Sequence, residues 1–495
     1  DYVFIDEAHR FRNDNTDNYK KLHEICHGKK VILISATPLN NYPKDIASQL
    51  YLFQKRTNSN LPIKNIEKFF REINNRLKNY EKGTDEYINE IKIVSEEIRE
   101  KILQPIMVRR TRKDILENYS EDVKNQGLKF PELETPKKLI YEFDKKTDEL
   151  FNETLDGIKK MKYARYGPLT YLINPTKAQK SLMVGQMNME GFMRSMMGKR
   201  LESSFYAFKN TLKRFLDSYA RFITMYEDGV IWISKKNIND YIDSGDEEAL
   251  FDLYEDDKAQ RFEAKDFKEE FYTDLYNDMA ILQKLDRKWS NIKVDPKLNK
   301  FLTELKIDEN LKNNKLIIFT EAEETASYLE ENLIKRYGSS VIKYSSKSSK
   351  ALRKRIEENF DPKYKKQKDD IRILITTDVL AEGVNLHRSN VLINYDLPWN
   401  PTKVMQRVGR INRVGSKFDK IFVYNFFPTV QSENAINLEA SIISKIQSFH
   451  STLGDDVKYI SDIEEVNSYG LYKVLNDKEV LEGKDDSRSW LKYLT

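Results

Sequence analysis

The C-terminal half of the chain alternates short apolar runs with charged amphipathic segments, and this pattern limits the fold more than any other feature. The predicted strands are Leu316–Thr320, Val341–Tyr344, Ile371–Thr377, Val391–Tyr395 and Ile421–Asn425. The predicted helices between them are Ala322–Tyr337, Lys350–Phe360 and Thr402–Val414. Such alternation predicts an open, doubly wound parallel sheet. In these sheets the chemistry lies at the carboxyl ends of the strands.

Two further apolar runs, Tyr2–Ile5 and Val31–Ile34, indicate part of another parallel sheet at the start of the chain. The charged, helix-rich middle of the chain has no comparable alternation. We therefore predict an α/β protein with two parallel-sheet domains, the first truncated, and a large helical insertion. The predicted segments are 1–135 for the first domain with a helical extension, 136–296 for the insertion, 297–430 for the second domain and 431–495 for a helical tail.

Composition excludes several classes of protein. One Cys and 5 His among 495 residues rule out a disulfide scaffold and a Cys-based zinc cluster. No apolar run approaches the roughly 18 residues of a membrane span, and the first residues lack the basic segment of a signal peptide. The formal net charge of +4 neither demands nor excludes nucleic acid. We expect a soluble, cytoplasmic protein, monomeric and without a membrane partner.

The first chemical motif is DEAH at residues 6–9, directly after a predicted strand. One of two adjacent carboxylates can hold Mg²⁺, usually through water, while the other orients and deprotonates an attacking water. Phosphoryl transfer needs this division of labour. The alternative is an ordinary acidic strand end.

The second motif is SATP at residues 35–38, after the next predicted strand. Its hydroxyl groups, on Ser35 and Thr37, can hydrogen-bond the neighbouring acidic motif and relay the state of a bound nucleotide. Alone, the string is more typical of a plain turn. Its position one strand–helix–strand unit after the acidic pair favours the relay.

The third motif is QRVGRINR at residues 406–413, on a helix that Pro401 is suited to begin. Gln406, Arg410 and Arg413 lie at positions i, i+4 and i+7 and are predicted to share one helix face. Two guanidinium groups together suit bidentate contact with a triphosphate.

The fourth motif is TTDVLAEGVNL at residues 376–386, where hydroxyl groups and a carboxylate end a strand and a glycine turn follows. These groups can contact phosphate or ribose, so the segment suits either a nucleotide or a nucleic acid.

In this order, the four motifs resemble motifs II, III, V and VI of superfamily-two helicases, and residues 315–320 would be motif IV. Three details resemble the Swi/Snf-type DNA translocase branch, bacterial members such as the RNA-polymerase-recycling ATPase in particular. They are SATPLNN at 35–41, which is similar to GTPLQNN, IMVRRTRK at 106–113, which is similar to FMLRRTK, and DLPWNP at 396–401. The resemblance covers about 1–140 and 297–430 and implies two RecA-like domains that bind ATP between them.

The resemblance also implies roles for individual residues. Asp6 would coordinate Mg²⁺, Glu7 would be the general base, and Arg410 and Arg413 would be arginine fingers. His9, Gly383 and Gln406 would lie at the nucleotide, and Ser35 and Thr37 would couple hydrolysis to movement. The expected contacts with the nucleic-acid backbone are Arg109, Arg110, Thr320, Ser345 and Thr376. Backbone contact without base readout implies sequence-independent, salt-sensitive binding, with duplex DNA as the favoured partner.

One departure from the family concerns the phosphate-binding loop, whose Gly-Lys would be followed by Ser or Thr. None of the Gly-Lys pairs at residues 28–29, 198–199 and 483–484 is followed by Ser or Thr. We therefore expect the nucleotide-binding half of the first domain to lie before Asp1, and this chain alone to hydrolyse ATP poorly or not at all. A strand-separating DNA or RNA helicase and a non-catalytic DNA- or protein-binding scaffold are the alternatives. A protein partner that docks on the insertion is a further expectation.

Overall fold

The computed structural model describes residues 1–35, 43–80, 85–108, 115, 119–187, 189–234, 259–380, 384–398 and 401–427. Its strands are β1 (Tyr2–Ile5), β2 (Lys30–Leu33), β3 (Glu132–Leu133), β4 (Lys137–Ile140), β5 (Val230–Ser234), β6 (Ala259–Glu263), β7 (Leu316–Phe319), β8 (Val341–Tyr344), β9 (Ile373–Thr376), β10 (Val391–Asn394) and β11 (Lys420–Phe427).

The α-helices in the first third of the chain are α1 (Asp17–Cys26), α2 (Pro43–Leu50), α3 (Ile66–Lys78), α4 (Asp85–Ile98) and α5 (Ser120–Asn125). The middle holds α6 (Lys145–Lys160), α7 (Lys177–Gln186), α8 (Met189–Ser203), α9 (Phe205–Glu227) and α10 (Glu269–Trp289). The last described part holds α11 (Pro296–Ile307), α12 (Glu309–Asn313), α13 (Glu323–Tyr337), α14 (Lys350–Phe360) and α15 (Pro401–Ile411).

The larger sheet has seven strands in the order β3-β11-β10-β7-β9-β8, with β4 also paired to β11. Every pairing in it is parallel. The non-sequential order means that helices cross over between strands, as the alternating sequence predicted. The carboxyl ends of β7, β8, β9 and β10 consequently lie along one edge of the sheet.

Successive residues of β7 point to opposite faces of this sheet, and each face is covered by helices. Leu316 and Ile318 pack with Ala326, Leu329 and Leu333 of α13 on one side. On the other side buried partners come from α14 and α15, and the cluster includes Ile317, Phe319, Ile356, Phe360, Val408 and Ile411. A strand that is apolar at every position is therefore buried on both faces, which confirms the predicted doubly wound α/β fold.

The larger sheet also includes residues that the sequence assigned elsewhere. β3 pairs with the start of β11, and β4 runs parallel to its end, from Tyr424↔Lys137 to Phe427↔Ile140. The predicted boundary at 135/136 falls between these two strands and does not mark a break in the fold. Both segments are too short and too polar to stand out as strands by periodicity alone.

At the start of the chain, β1 and β2 form a two-stranded parallel sheet. Ile5, Ala8, Tyr19, Cys26 and Leu52 form its small core. Helices α2, α3 and α4 pack around a second cluster, to which Met405 of α15 adds a partly buried contact. The first domain thus touches the helix that carries the third motif.

The helical middle of the chain packs around aromatic residues of α6, α9 and α10, among them Phe151, Phe208, Phe215 and Trp289. Three residues of the second domain, Leu397, Val404 and Phe427, belong to the same cluster. We call α6–α10, with the β5–β6 hairpin, the helical block. The block shares its core with the second domain and is not a separate appendage. Within the described residues, none of the helices has the length and apolarity needed to cross a membrane.

Candidate nucleotide site and nucleic-acid edge

The acidic motif forms a tight turn at the end of β1. Glu7 has a left-handed backbone (φ 50°, ψ 45°), and its N–H donates to Oδ1 of Asp6 at 2.9 Å. The next N–H, that of Ala8, donates to the carbonyl of Ile34 at 3.0 Å and ties the turn to β2. A non-glycine residue with positive φ stores strain, and such strain is common at functional sites. The turn leaves Asp6 exposed and Glu7 partly exposed beside it.

His9 is 6% exposed and lies between three polar groups. Its Nδ1 is 3.1 Å from Oγ of Ser35 and 3.4 Å from a carboxylate oxygen of Glu7. Its Nε2 is 3.4 Å from the side-chain nitrogen of Gln406. One tautomer satisfies all of these contacts: Nδ1–H donates to Ser35 and Glu7, and Nε2 accepts from the amide of Gln406. The structure therefore brings the first, second and third motifs together at the imidazole of His9.

Gln406 and Arg410 lie on the same side of α15, as their i, i+4 spacing predicted, and both are partly buried. Arg413 does not share this face, because α15 ends at Ile411. Its Nε instead donates to the carbonyl of Gly409 at 3.1 Å, and its Nη1 donates to Oδ1 of Asn385. Burial lowers the pKa of Arg413. The predicted i+7 position is corrected, since the chain leaves helical geometry two residues earlier.

Sequence reasoning missed Arg407, which is fully buried next to Gln406 on α15. Its Nε donates to Asp378 at 2.6 Å, and its Nη1 donates to Oδ1 of Asn394 at 2.9 Å and to the carbonyl of Asp396 at 3.0 Å. The guanidinium also lies over the ring of Phe319. The signal was present in the sequence, because an arginine at the apolar face of a helix needs a buried anionic partner.

Lys403, one turn before Arg407, completes a charged network. Its Nζ is 3.0 Å from Glu321 and 2.9 Å from Asp378. Burial disfavours the ionised form of Asp378, but Arg407 and Lys403 outweigh burial and hold its pKa below the ordinary value. Burial likewise acts against a charged Lys403, and the two carboxylates outweigh it and raise its pKa. The network fixes α15 against the carboxyl ends of β7 and β9.

The predicted nucleic-acid contacts Thr320, Ser345 and Thr376 lie together where β7, β8 and β9 end, as the topology required. However, all three are buried. Thr320 donates to Oδ2 of Asp396 at 2.5 Å, Thr376 donates to the carbonyl of Thr377 at 2.9 Å, and the N–H of Ser345 donates to Oγ of Ser348. The structure thus differs from the expectation that these groups face outward, because neighbouring protein groups already bind them.

Four other predicted residues, Thr37, Arg109, Arg110 and Gly383, lie outside the described residues. Among the residues that the structure describes, no group of three or more His, Cys, Asp and Glu is arranged to hold a metal ion. A single exposed carboxylate such as Asp6 still fits Mg²⁺, since this ion keeps several waters and binds phosphates together with one or two carboxylates.

Two family models match the chain. The SNF2-related domain matches residues 1–184, and the helicase conserved C-terminal domain matches residues 296–415. The uncharacterized ATP-dependent helicase YqhH of Bacillus subtilis is 32% identical over 188 residues, which are 37% of this chain and 31% of YqhH. The RNA polymerase-associated protein RapA of Photobacterium profundum is 32% identical over 132 residues, 26% of this chain and 13% of RapA.

A third relative is the ATP-dependent RNA helicase sub2 of Aspergillus terreus, 34% identical over 137 residues, which are 28% of each protein. The matches thus span about a third or less of these curated relatives. The two matched domains follow each other in the order that the motifs predicted, on either side of most of the helical block. The chain thus combines an SNF2-related domain with a helicase conserved C-terminal domain, the Swi/Snf-type pair that the motifs resemble.

Proposed function

We propose that this chain is the part of an ATP-dependent motor that couples ATP hydrolysis to movement along double-stranded DNA. The observation that carries the proposal is the position of His9, which contacts Ser35 of the first domain and Gln406 of the second. A hydrolytic motif and a helix with cationic side chains meet there, as expected for a nucleotide bound between two domains.

In this proposal each residue at the junction has one task. Asp6 holds Mg²⁺ through water, and Glu7 accepts the proton of the attacking water. Arg410 stabilises the charge that develops on the transferred phosphoryl group, and Arg413 joins it once the Asn385 contact is released. Bound ATP·Mg²⁺ supplies the phosphoryl group and its counter-charge. His9 passes the state of the site to Ser35 on one side and to Gln406 on the other.

Nucleic acid would bind at the edge formed by the ends of β7, β8 and β9. Contact with the phosphate backbone alone, without base readout, would make this binding sequence-independent and salt-sensitive. Thr320 and Thr376 are buried. The better candidates for direct contact with the nucleic-acid backbone are therefore backbone N–H groups and the exposed lysines after β8, Lys347 and Lys350. A monomer suffices for this mechanism. A protein partner would dock on the helical block.

Replacing Glu7 by Gln in the complete protein tests the assignment. Nucleotide binding should persist, because the amide keeps the shape of the side chain, while ATP turnover and displacement of a DNA triplex should cease. Glu24→Gln, an exposed residue of α1, is the matched control and should leave both unchanged. Triplex displacement by the Glu7 variant at the normal rate would disprove the role of Glu7.

A strand-separating helicase is the second candidate, and the match to the RNA helicase sub2 over 137 residues favours it. The two candidates differ in the nucleic acid that stimulates ATP turnover. Duplex DNA should stimulate a translocase more than single strands or RNA, and the reverse order would favour a helicase. The isolated 495-residue chain should show little turnover with any of them. Clear DNA-stimulated turnover by that chain would disprove the expectation.

A further inference from the structure

A buried polar junction connects the helical block to the end of β10. Asp396, which is 4% exposed, accepts hydrogen bonds at Oδ2 from Ser203 and Thr320, both at 2.5 Å. Its Oδ1 accepts from the N–H of Glu321 at 2.7 Å. One carboxylate therefore joins α8 of the block to the residues that follow β7. Such hydrogen bonds to a charged acceptor are about twice as strong as neutral ones.

The block is held firmly at this point. Lys297 is buried, and its Nζ donates to the carbonyls of Glu202 and Ser203 at 2.7 and 3.0 Å. Thr325 of α13 lies 2.7 Å from Oγ of Ser203. Arg200 of α8 and Arg214 of α9 both pair with Glu324. Both arginines thus bind the second domain, and they hold the turn between α8 and α9 in a fixed position on that domain.

From Asp396 the connection continues to α15. The backbone carbonyl of Asp396 accepts from Nη1 of Arg407 at 3.0 Å. The next residue, Leu397, and Val404 of α15 pack into the core of the block. The same helix carries Arg410 and Gln406, and the side chain of Gln406 contacts His9. A shift of the α8–α9 turn would therefore move the end of β10, and α15 with it.

We propose that Ser203 and Asp396 are positioning residues through which the helical block sets the position of α15. The block would then influence the nucleotide site, because any movement of the α8–α9 turn also moves Gln406 and Arg410 relative to His9. The effect on ATP turnover rests on the function proposed above. The positioning itself does not, and hydrogen exchange measures it without nucleotide.

Ser203→Ala in the full chain tests the positioning by hydrogen exchange with mass spectrometry. Exchange in 401–411 should become about tenfold faster, because a hydrogen bond to a charged group is worth at least that factor in an equilibrium constant. Exchange in 350–360, a helix of the same domain that makes no hydrogen bond to the turn among the described residues, should not change. Ser203→Thr keeps the hydroxyl and should restore the protection of 401–411.

Ser195→Ala is the matched control, since Ser195 is a buried serine of the same helix whose hydroxyl has no hydrogen-bond partner among the described residues. It should leave both segments unchanged. If Ser203→Ala does not fold, Thr325→Val removes a partner hydroxyl from the second-domain side and should give the same local increase. Equal exchange in the Ser203 and Ser195 variants, or an increase shared by 350–360, would overturn the proposal.

Turnover by the complete protein separates this proposal from the proposed function. If the unsubstituted protein shows no nucleic-acid-stimulated ATP turnover, the motor function fails while the exchange result stands. If it turns over, Ser203→Ala should lower kcat about tenfold with little change in KM for ATP, because arginine contacts act mainly in the transition state. An unchanged kcat would show that the position of the α8–α9 turn does not affect ATP turnover.

Discussion

The side-chain amide of Gln406 lies 3.4 Å from Nε2 of His9, although 397 positions separate the two residues in sequence. His9 is the last residue of the first motif, DEAH, and Gln406 is the first residue of the third motif, QRVGRINR. Their contact joins the two motifs across the two domains.

A double-mutant cycle on His9 and Gln406 measures this coupling. We expect His9→Ala and Gln406→Ala each to lower nucleic-acid-stimulated ATP turnover of the complete protein about tenfold, and the double variant to lose little more. Residues in direct contact show coupling energies of about 0.5–3 kcal/mol. His27→Ala, an exposed histidine after α1, is the control. Losses that simply multiply would show that the two residues act independently.

Arg407→Met should destabilise the second domain by about 3 kcal/mol, because it leaves the partly buried carboxylate of Asp378 with one partner fewer. Urea unfolding of the full chain, followed by a probe in the second domain, measures the change in free energy. Arg353→Ala removes an exposed i, i+4 pair with Glu357, and a loss of under about 0.5 kcal/mol is expected. Equal losses in the two variants would contradict a structural role for Arg407.

Sequence predicted the second domain well because its strands are apolar at every position and its helices amphipathic. β7 and α13 differ from their predicted limits by only one residue. The resemblance implied that His9 and Gln406 lie at one nucleotide, and their side chains are 3.4 Å apart in the structure. Such features depend on local periodicity and on the rule that parallel strands end at one edge.

What sequence did not predict depends on contacts between distant segments. β4 is a strand only because β11 pairs with it, and Thr320 is buried only because Asp396 and Ser203 bind it. Arg413 left the predicted helix face because helix ends depend on capping and not on the apolar period. None of these contacts leaves a periodic signal in the chain.

The pKa of Asp378 predicts a specific response to acid. Because the folded pKa is depressed, the stabilisation is present above the unfolded value of about 3.9 and is lost as pH falls below it. Asp378→Asn should therefore be less stable than the unsubstituted chain at pH 7, with the difference shrinking below about pH 4. Urea unfolding between pH 3 and 7 measures this difference.

Asp17→Asn, at an exposed position of α1, serves as the control for Asp378 and should track the unsubstituted chain at every pH. A difference between Asp378→Asn and the unsubstituted chain that stays constant from pH 7 to 3 would mean that Asp378 contributes through packing and not through its charge.

Leu139 and Ile140, neighbours on β4, test whether this strand belongs to the second domain. Leu139 is 5% exposed and packs in the core between the sheet and α13, whereas Ile140 is 45% exposed. Leu139→Ala should cost about 2–4 kcal/mol in urea unfolding, since it leaves a cavity in that core. The loss should appear with a probe on β11, although residue 139 precedes the second domain by more than a hundred positions.

Ile140→Ala should cost under about 1 kcal/mol, because its side chain is already half in water. Similar small losses in both variants would place β4 outside the folded unit of the second domain.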